Sequence, residues 1–214
     1  VILYGLSTWN KITNADVSDS QVIEIYAKQF EWTARYAGED NILGSANYRL
    51  VTPYNPSGTN SLGVDMKDPN AADDIIVVST EYPKEDLLIN EIHLVKGTPV
   101  LLKFRSQDVI HSAFLPHFRV QMNCVPGMTT QFAFTPTKTT EEMRDDPKII
   151  RQMDDLNEKI NEMSKSEKTK FLNLYDLEIQ NLPLKFDYVL LCNKICGVNH
   201  YNMQMKVIVE TQEE

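Results

Sequence analysis

Cysteine is scarce in this 214-residue chain: three copies, too few and too odd a number for a disulfide scaffold. Basic residues are also in deficit. The 21 Lys plus Arg face 30 Asp plus Glu, a net charge of −9. That excludes the cationic surplus that attraction to phosphate needs, and with it nucleic acid as a partner. It favours a basic partner instead, by steering more than by tight binding. No run approaches the ~18 consecutive apolar residues of a spanning helix. The apolar start, Val1-Ile2-Leu3-Tyr4-Gly5-Leu6, lacks the basic flank and small-residue cleavage site of a signal peptide. An initiator Met is missing too, so the expectation is a processed or truncated product. There is no internal repeat.

What is present is ordinary globular composition, 42% hydrophobic and 24% charged, in a chain long enough to bury a core without disulfide staples. Short strand-like runs dominate. Residues 21–29 (QVIEIYAKQ) alternate apolar and polar side chains, as a half-buried strand does. Similar runs cover 73–80, 88–95, 98–105, 109–115, 129–134 and 187–192, and 203–209 (MQMKVIV) closes the series. Lys96-Gly97 reads as a tight turn. Many short strands with polar turns predict an all-β Greek-key sandwich or barrel.

Two segments break the pattern. Residues 38–72 are rich in Asn, Gly, Pro and Asp and read as a long loop. Residues 139–186 read as a helical insertion. Thr139 resembles a helix cap with acids in the first turn, Pro147 interrupts, and Ile149, Ile150, Met153, Leu156, Ile160 and Met163 then recur at helical spacing. The expected organisation is an N-terminal helix end and linker over 1–20, the first part of a β-domain over 21–138, the insertion over 139–186, and a final loop and strand over 187–214.

That final loop carries the chemistry. Cys192 and Cys196 are four apart, His200 follows by four and Met203 by three, all between two apolar strands. Gly197 supplies backbone freedom. A CxxxC pair alone is also explained by two buried thiols, and an isolated Met there by core packing. Thiolates, imidazole and thioether together in one loop make a soft to borderline ligand set, which selects copper, or zinc if four-coordinate. Two thiolates in one loop can bridge two coppers, and a second copper needs a second His. His111 lies in an apolar run beside Asp108 and Ser112. His93 and His117 read as structural or surface residues, and Cys124 as a buried small residue.

The pattern Cys192-x-x-x-Cys196-x-x-x-His200-x-x-Met203, with upstream Asp108-Val109-Ile110-His111-Ser112, resembles subunit II of haem–copper cytochrome c oxidases. Gln29-Phe30-Glu31-Trp32 is similar to the family's aromatic stretch, and 120–127 (VQMNCVPG) to its valine-to-proline-glycine segment. The resemblance implies a cupredoxin-like fold and two copper ions in a dinuclear CuA centre. Cys192 and Cys196 would bridge, His111 and His200 would be terminal ligands, and Met203 and the Lys194 carbonyl weak ones. Where the family often has an acidic side chain that helps hold magnesium, this chain has Lys194, which cannot. The family's electron-receiving Trp aligns with Phe30, while Trp32 is kept; Asp108 is a candidate for positioning His111 or for docking a donor.

The implied role is electron uptake within an oxidase, without oxygen reduction in this chain. Electrons would come from cytochrome c or a similar donor and pass to haem in subunit I, beside other oxidase subunits. The implied place is the periplasmic or equivalent outer side of an inner (cytoplasmic) membrane, reached through helices missing from this chain, with Val1–Trp9 resembling the emerging end of the second membrane helix. The distance from His111 to Cys192, longer than the family's common spacing, is taken up by the insertion. Alternatives are a copper chaperone with a CxxxC/His site, the CuA domain of a nitrous oxide reductase, and a structural zinc site.

Overall fold

The computed structural model describes residues 2–13, 17–37, 41, 43, 46, 66–67, 75–76, 87–89, 91–174 and 182–212. The N-terminal helix α1 (Ile2–Thr13) exposes Ile2, Leu3, Tyr4, Leu6, Trp9 and Ile12. Among the described residues no helix is long and apolar enough to cross a membrane. Among the described residues twelve strands follow: β1 (Gln21–Lys28), β2 (Glu31–Tyr36), β3 (Met66–Lys67), β4 (Ile75–Ile76), β5 (Leu87–Ile89), β6 (Glu91–Val95), β7 (Val100–Ser106), β8 (His111–Leu115), β9 (Val120–Cys124), β10 (Thr130–Phe134), β11 (Tyr188–Cys192) and β12 (Gln204–Glu210). Helices α2 (Thr140–Arg144), α3 (Pro147–Glu162) and α4 (Lys165–Leu174) stand between β10 and β11.

Ten strands form two five-stranded sheets, ordered β10-β7-β1-β2-β5 and β6-β12-β11-β8-β9. Most pairs are antiparallel, but β1 runs parallel to β7 and β12 parallel to β6. One apolar core draws on both sheets, with Ile23, Ile25, Phe104 and Val100 from the first and Leu190, Val207, Leu115 and Val120 from the second. Each such side chain contributes about 1.5–3 kcal/mol by leaving water. Tyr36 also ties the sheets: its hydroxyl donates to the His93 carbonyl at 2.9 Å and accepts from the His93 amide at 2.5 Å.

β1 is buried along nearly its whole length, so its polar members need partners. Glu24 takes Arg35 at 2.8 Å and Arg105 at 3.0 Å from the neighbouring strands. A buried carboxylate between two guanidiniums is tolerable because its charge is compensated locally.

The run expected as one strand over 88–95 is two. β5 pairs with β2 in one sheet and β6 with β12 in the other. Apolar alternation cannot signal such a change of sheet, because it does not specify which neighbour a strand pairs with. Lys96-Gly97 does turn, with Gly97 at φ 82°, but between sheets and not within a hairpin. The 38–72 loop lies largely outside the described residues. Its described part includes β3, which pairs with β4, the described part of the strand expected over 73–80.

The described part of the 139–186 segment holds helices α2, α3 and α4. Thr139 caps α2 in a reciprocal box: its hydroxyl accepts from the Glu142 amide at 3.0 Å, and the Thr139 amide donates to the Glu142 carboxylate at 2.8 Å. The interruption expected at Pro147 is the break between α2 and α3: Pro147 opens α3, where Asp146 caps and a proline costs no hydrogen bond. Arg144 fastens the insertion to the strand leading into the cysteine loop, donating to the Phe186 carbonyl at 2.8 Å and to Asp187 at 2.7 Å.

Candidate metal centre

Three stretches of chain meet at one end of the sandwich. β11 ends on Cys192, whose amide bonds the Met203 carbonyl at 3.0 Å, so the loop between them closes on itself. Within it Gly197, at φ 145°, turns the backbone where an L side chain is strained. A short 3-10 turn then carries His200. β8 begins on His111 and pairs with β11, placing Ala113 opposite Cys192. The Asn193 amide donates to the Ser112 carbonyl at 2.9 Å, locking the two segments together.

The donor atoms converge in a chain. Cys192 Sγ lies 3.9 Å from His111 Nδ1 and 3.8 Å from Cys196 Sγ. Cys196 Sγ lies 3.6 Å from His200 Nδ1 and 3.7 Å from Met203 Sδ. The Lys194 carbonyl is 3.2 Å from Cys192 Sγ. Each sulfur thus has its own imidazole nitrogen and its own weak donor. His111, Cys192 and Cys196 offer atoms all within 4.8 Å of one another, and among the described residues His200 falls outside that cluster. The His111, Cys192, Cys196 and Met203 side chains are buried. Burial, with the neighbouring Cys192 thiol, pushes the Cys196 thiol up to about 11, so binding a metal there releases a proton.

His111 is aimed from behind. Its Nε2 sits 2.8 Å from Asp108 Oδ1, which leaves Nδ1 free to face the sulfur. Partial burial pushes Asp108 up, but hydrogen bonds from His111 and from the Gln29 and Val109 amides prevail and hold it below the ordinary carboxylate range. Trp32, 2% exposed, packs edge-on to His111 with centroids 6.1 Å apart and donates from Nε1 to the Met203 carbonyl at 3.3 Å. It therefore backs the site from inside. Phe30 is half-buried and lies over Gly197, where a methyl group would meet its ring at 2.7 Å.

The rim exposes apolar side chains, Ile195, Val198, Tyr201 and Ile110, among exposed polar ones, Asn193, Lys194, Asn199 and Asp108. Cys124 is buried as expected, and its thiol is pushed up to about 12 by that burial. His117 packs against Phe186 and Tyr188. His93 sits between Glu91 and Glu210, both at 3.0 Å. Neither histidine is among the converging donors. Sequence reasoning did not single out Gln29. Its amide donates to Asp108 at 2.7 Å and its side-chain amide to the Cys196 carbonyl. The signal was its place beside Phe30 and Trp32 in the aromatic stretch.

No protein-family profile matches the chain. An alternative cytochrome c oxidase subunit 2 from Bradyrhizobium diazoefficiens is 28% identical over 210 residues, covering 98% of this chain and 53% of the relative. Cytochrome c oxidase subunit 2 from Thermostichus vulcanus is 37% identical over 59 residues, 27% of this chain and 18% of that protein. This chain spans about half the length of the first relative and a smaller part of the second. Among solved structures, the periplasmic domain of subunit II of cytochrome oxidase from Bradyrhizobium japonicum aligns with TM-score 0.45 at 16% identity, over 92% of this chain and 88% of that one.

Proposed function

We propose, from the premise that this chain is a homologue of cytochrome c oxidase subunit 2, that it is the electron-receiving domain of a haem–copper oxidase, built as a Greek-key, cupredoxin-like sandwich around a dinuclear copper centre. The observation that carries this reading is the pair of sulfurs 3.8 Å apart, each with its own imidazole Nδ1 at 3.9 or 3.6 Å. A tetrahedral structural zinc needs four donors about one point. His200 lying outside the His111, Cys192 and Cys196 cluster argues for two metal positions.

Cys192 and Cys196 would bridge, His111 and His200 would each terminate one end, and Met203 and the Lys194 carbonyl would be weak ligands. This soft set suits copper. When bound, the copper pair supplies one reversible electron-accepting site. The protein's own work is to hold the donors rigid, so that little rearranges when charge moves. Asp108 and Trp32 do this for His111 and the Met203 backbone, and burial excludes water from both sulfurs. The Lys194 side chain offers no acidic group to a magnesium ion.

The donor would be cytochrome c or a similar protein, and the acceptor haem in subunit I, with the domain on the periplasmic side of an inner (cytoplasmic) membrane and anchored through helices preceding it. Phe30, at the edge of the site, is the contact proposed for the incoming electron. The rim of Ile195, Val198 and Tyr201 carries this docking better than the overall −9 does, since Asp108 is already engaged by His111. Copper reconstitution followed by metal analysis tests the reading. Two copper ions per chain are expected, and one ion or none would overturn it.

A further inference from the structure

One turn touches both halves of the site. Gln29 and Phe30 join β1 to β2, and Gln29 reaches in two directions. Its backbone amide donates to Asp108 Oδ2 at 2.7 Å, and the other oxygen of that carboxylate holds His111 Nε2 at 2.8 Å. Its side-chain amide donates to the Cys196 carbonyl. Phe30 meanwhile lies over Gly197, leaving no room for a side chain there. The Gln107 amide bonds the Ala27 carbonyl at 2.9 Å, which fixes the turn against the segment leading to Asp108. The turn therefore has attachments to the His111 end and to the Cys196–His200 end.

We propose that Gln29 is a positioning residue for the metal centre, one that holds the Cys196–Gly197 peptide in register with Asp108 and His111 and so keeps the two metal positions equivalent. The proposal rests on the dinuclear reading above. Its physical basis is leverage. The orientation of the Cys196 peptide sets where Sγ lies relative to Cys192 Sγ and His200 Nδ1. That peptide is in a loop and follows a residue 87% exposed, and on its far side Gly197 is held by the Phe30 ring and by the His200 amide, which donates to its carbonyl at 3.2 Å. The Gln29 side chain holds the Cys196 carbonyl directly, and its backbone ties it to the carboxylate orienting the opposite histidine. An outer partner of this kind sets ligand geometry without touching metal.

Gln29→Leu removes the side-chain donor and keeps the backbone one. Gln29→Glu keeps size and polarity, but an ionised carboxylate cannot donate to a carbonyl. Gln29 is exposed, so both variants should fold. In the copper-free protein, amide hydrogen exchange at residues 197–202 should quicken by about fivefold in both, the factor one net hydrogen bond confers. The His111 ring proton held by Asp108 should keep its nuclear magnetic resonance shift. In copper-loaded samples the hyperfine couplings of the two metals should become unequal. Unchanged exchange and couplings in Gln29→Leu would overturn the proposal, as would wild-type behaviour in Gln29→Glu. The wild-type copper spectrum, recorded alongside, separates this outcome from failure of the dinuclear reading: only the latter changes what the wild type shows.

Discussion

The metal end of the sandwich and the helical insertion are held together by different means. At the metal end, donors from β8, β11 and the loop before β12 converge from segments far apart in sequence, and the contacts that place them are mostly long-range. The insertion is built with local devices, the Thr139–Glu142 box, the Asp146 cap and Pro147 at the first helical position, and docks on the sheets through a few long-range contacts, Arg144 to Phe186 and Asp187 and the Val209 amide to Thr140. One region is defined by which strands pair, the other by which residues are neighbours. Damage should therefore spread differently. Changes at the metal end should alter the centre and leave most of the fold, whereas changes in the insertion should cost stability and leave the centre alone.

The largest expected effect is at the sulfurs. Cys196→Ser should reduce copper affinity by more than the roughly 10–100-fold that loss of an outer partner costs, measured by competition against a chelator. Ile160→Ala should lower unfolding free energy by about 2–5 kcal/mol in a denaturant titration with copper uptake unchanged; altered uptake would mean the two regions are coupled. Asp108→Ala should weaken copper binding roughly 10–100-fold without the loss of fold that a core change causes. Thr139→Ala should cost about 0.5–2 kcal/mol, again with the centre intact.

The smallest effect is at His93. Burial pulls its basicity down, but hydrogen bonds to Glu91 and Glu210 outweigh that and raise it above 6.5. A group whose folded value is raised gives stability that is fully present below the unfolded value and lost as pH rises through the folded one. Stability should therefore decline modestly as pH rises through and above 6.5, and His93→Gln should flatten that part of the profile.

Legibility in the sequence followed the same division. The cysteine loop could be read because Cys192, Cys196, His200 and Met203 lie within one short connection, where spacing alone suggests a shared centre. The α2 start could be read because its cap and partner are three residues apart. His111 needed the resemblance, since only the pairing of β8 with β11 brings it to Cys192. The inside position of Trp32 and the double reach of Gln29 were not readable, because both depend on how the β1–β2 hairpin meets distant segments. The change of sheet between Ile89 and Glu91 was hidden for a related reason. Periodicity reports which face is apolar, not which neighbour a strand will take.

The three cysteines and the acidic balance take on specific meanings in the fold. Cys124 is core, while Cys192 and Cys196 face each other. At the described rim of the site Asp108 and Lys194 stand beside exposed aliphatic side chains, with no cluster of like charge among the residues named. Electron spin resonance of the copper-reconstituted protein tests the central claim most directly. One unpaired electron shared equally between two copper nuclei gives seven hyperfine lines, and that spectrum from a purple protein is the expected result. A four-line spectrum, or no copper uptake, would contradict it.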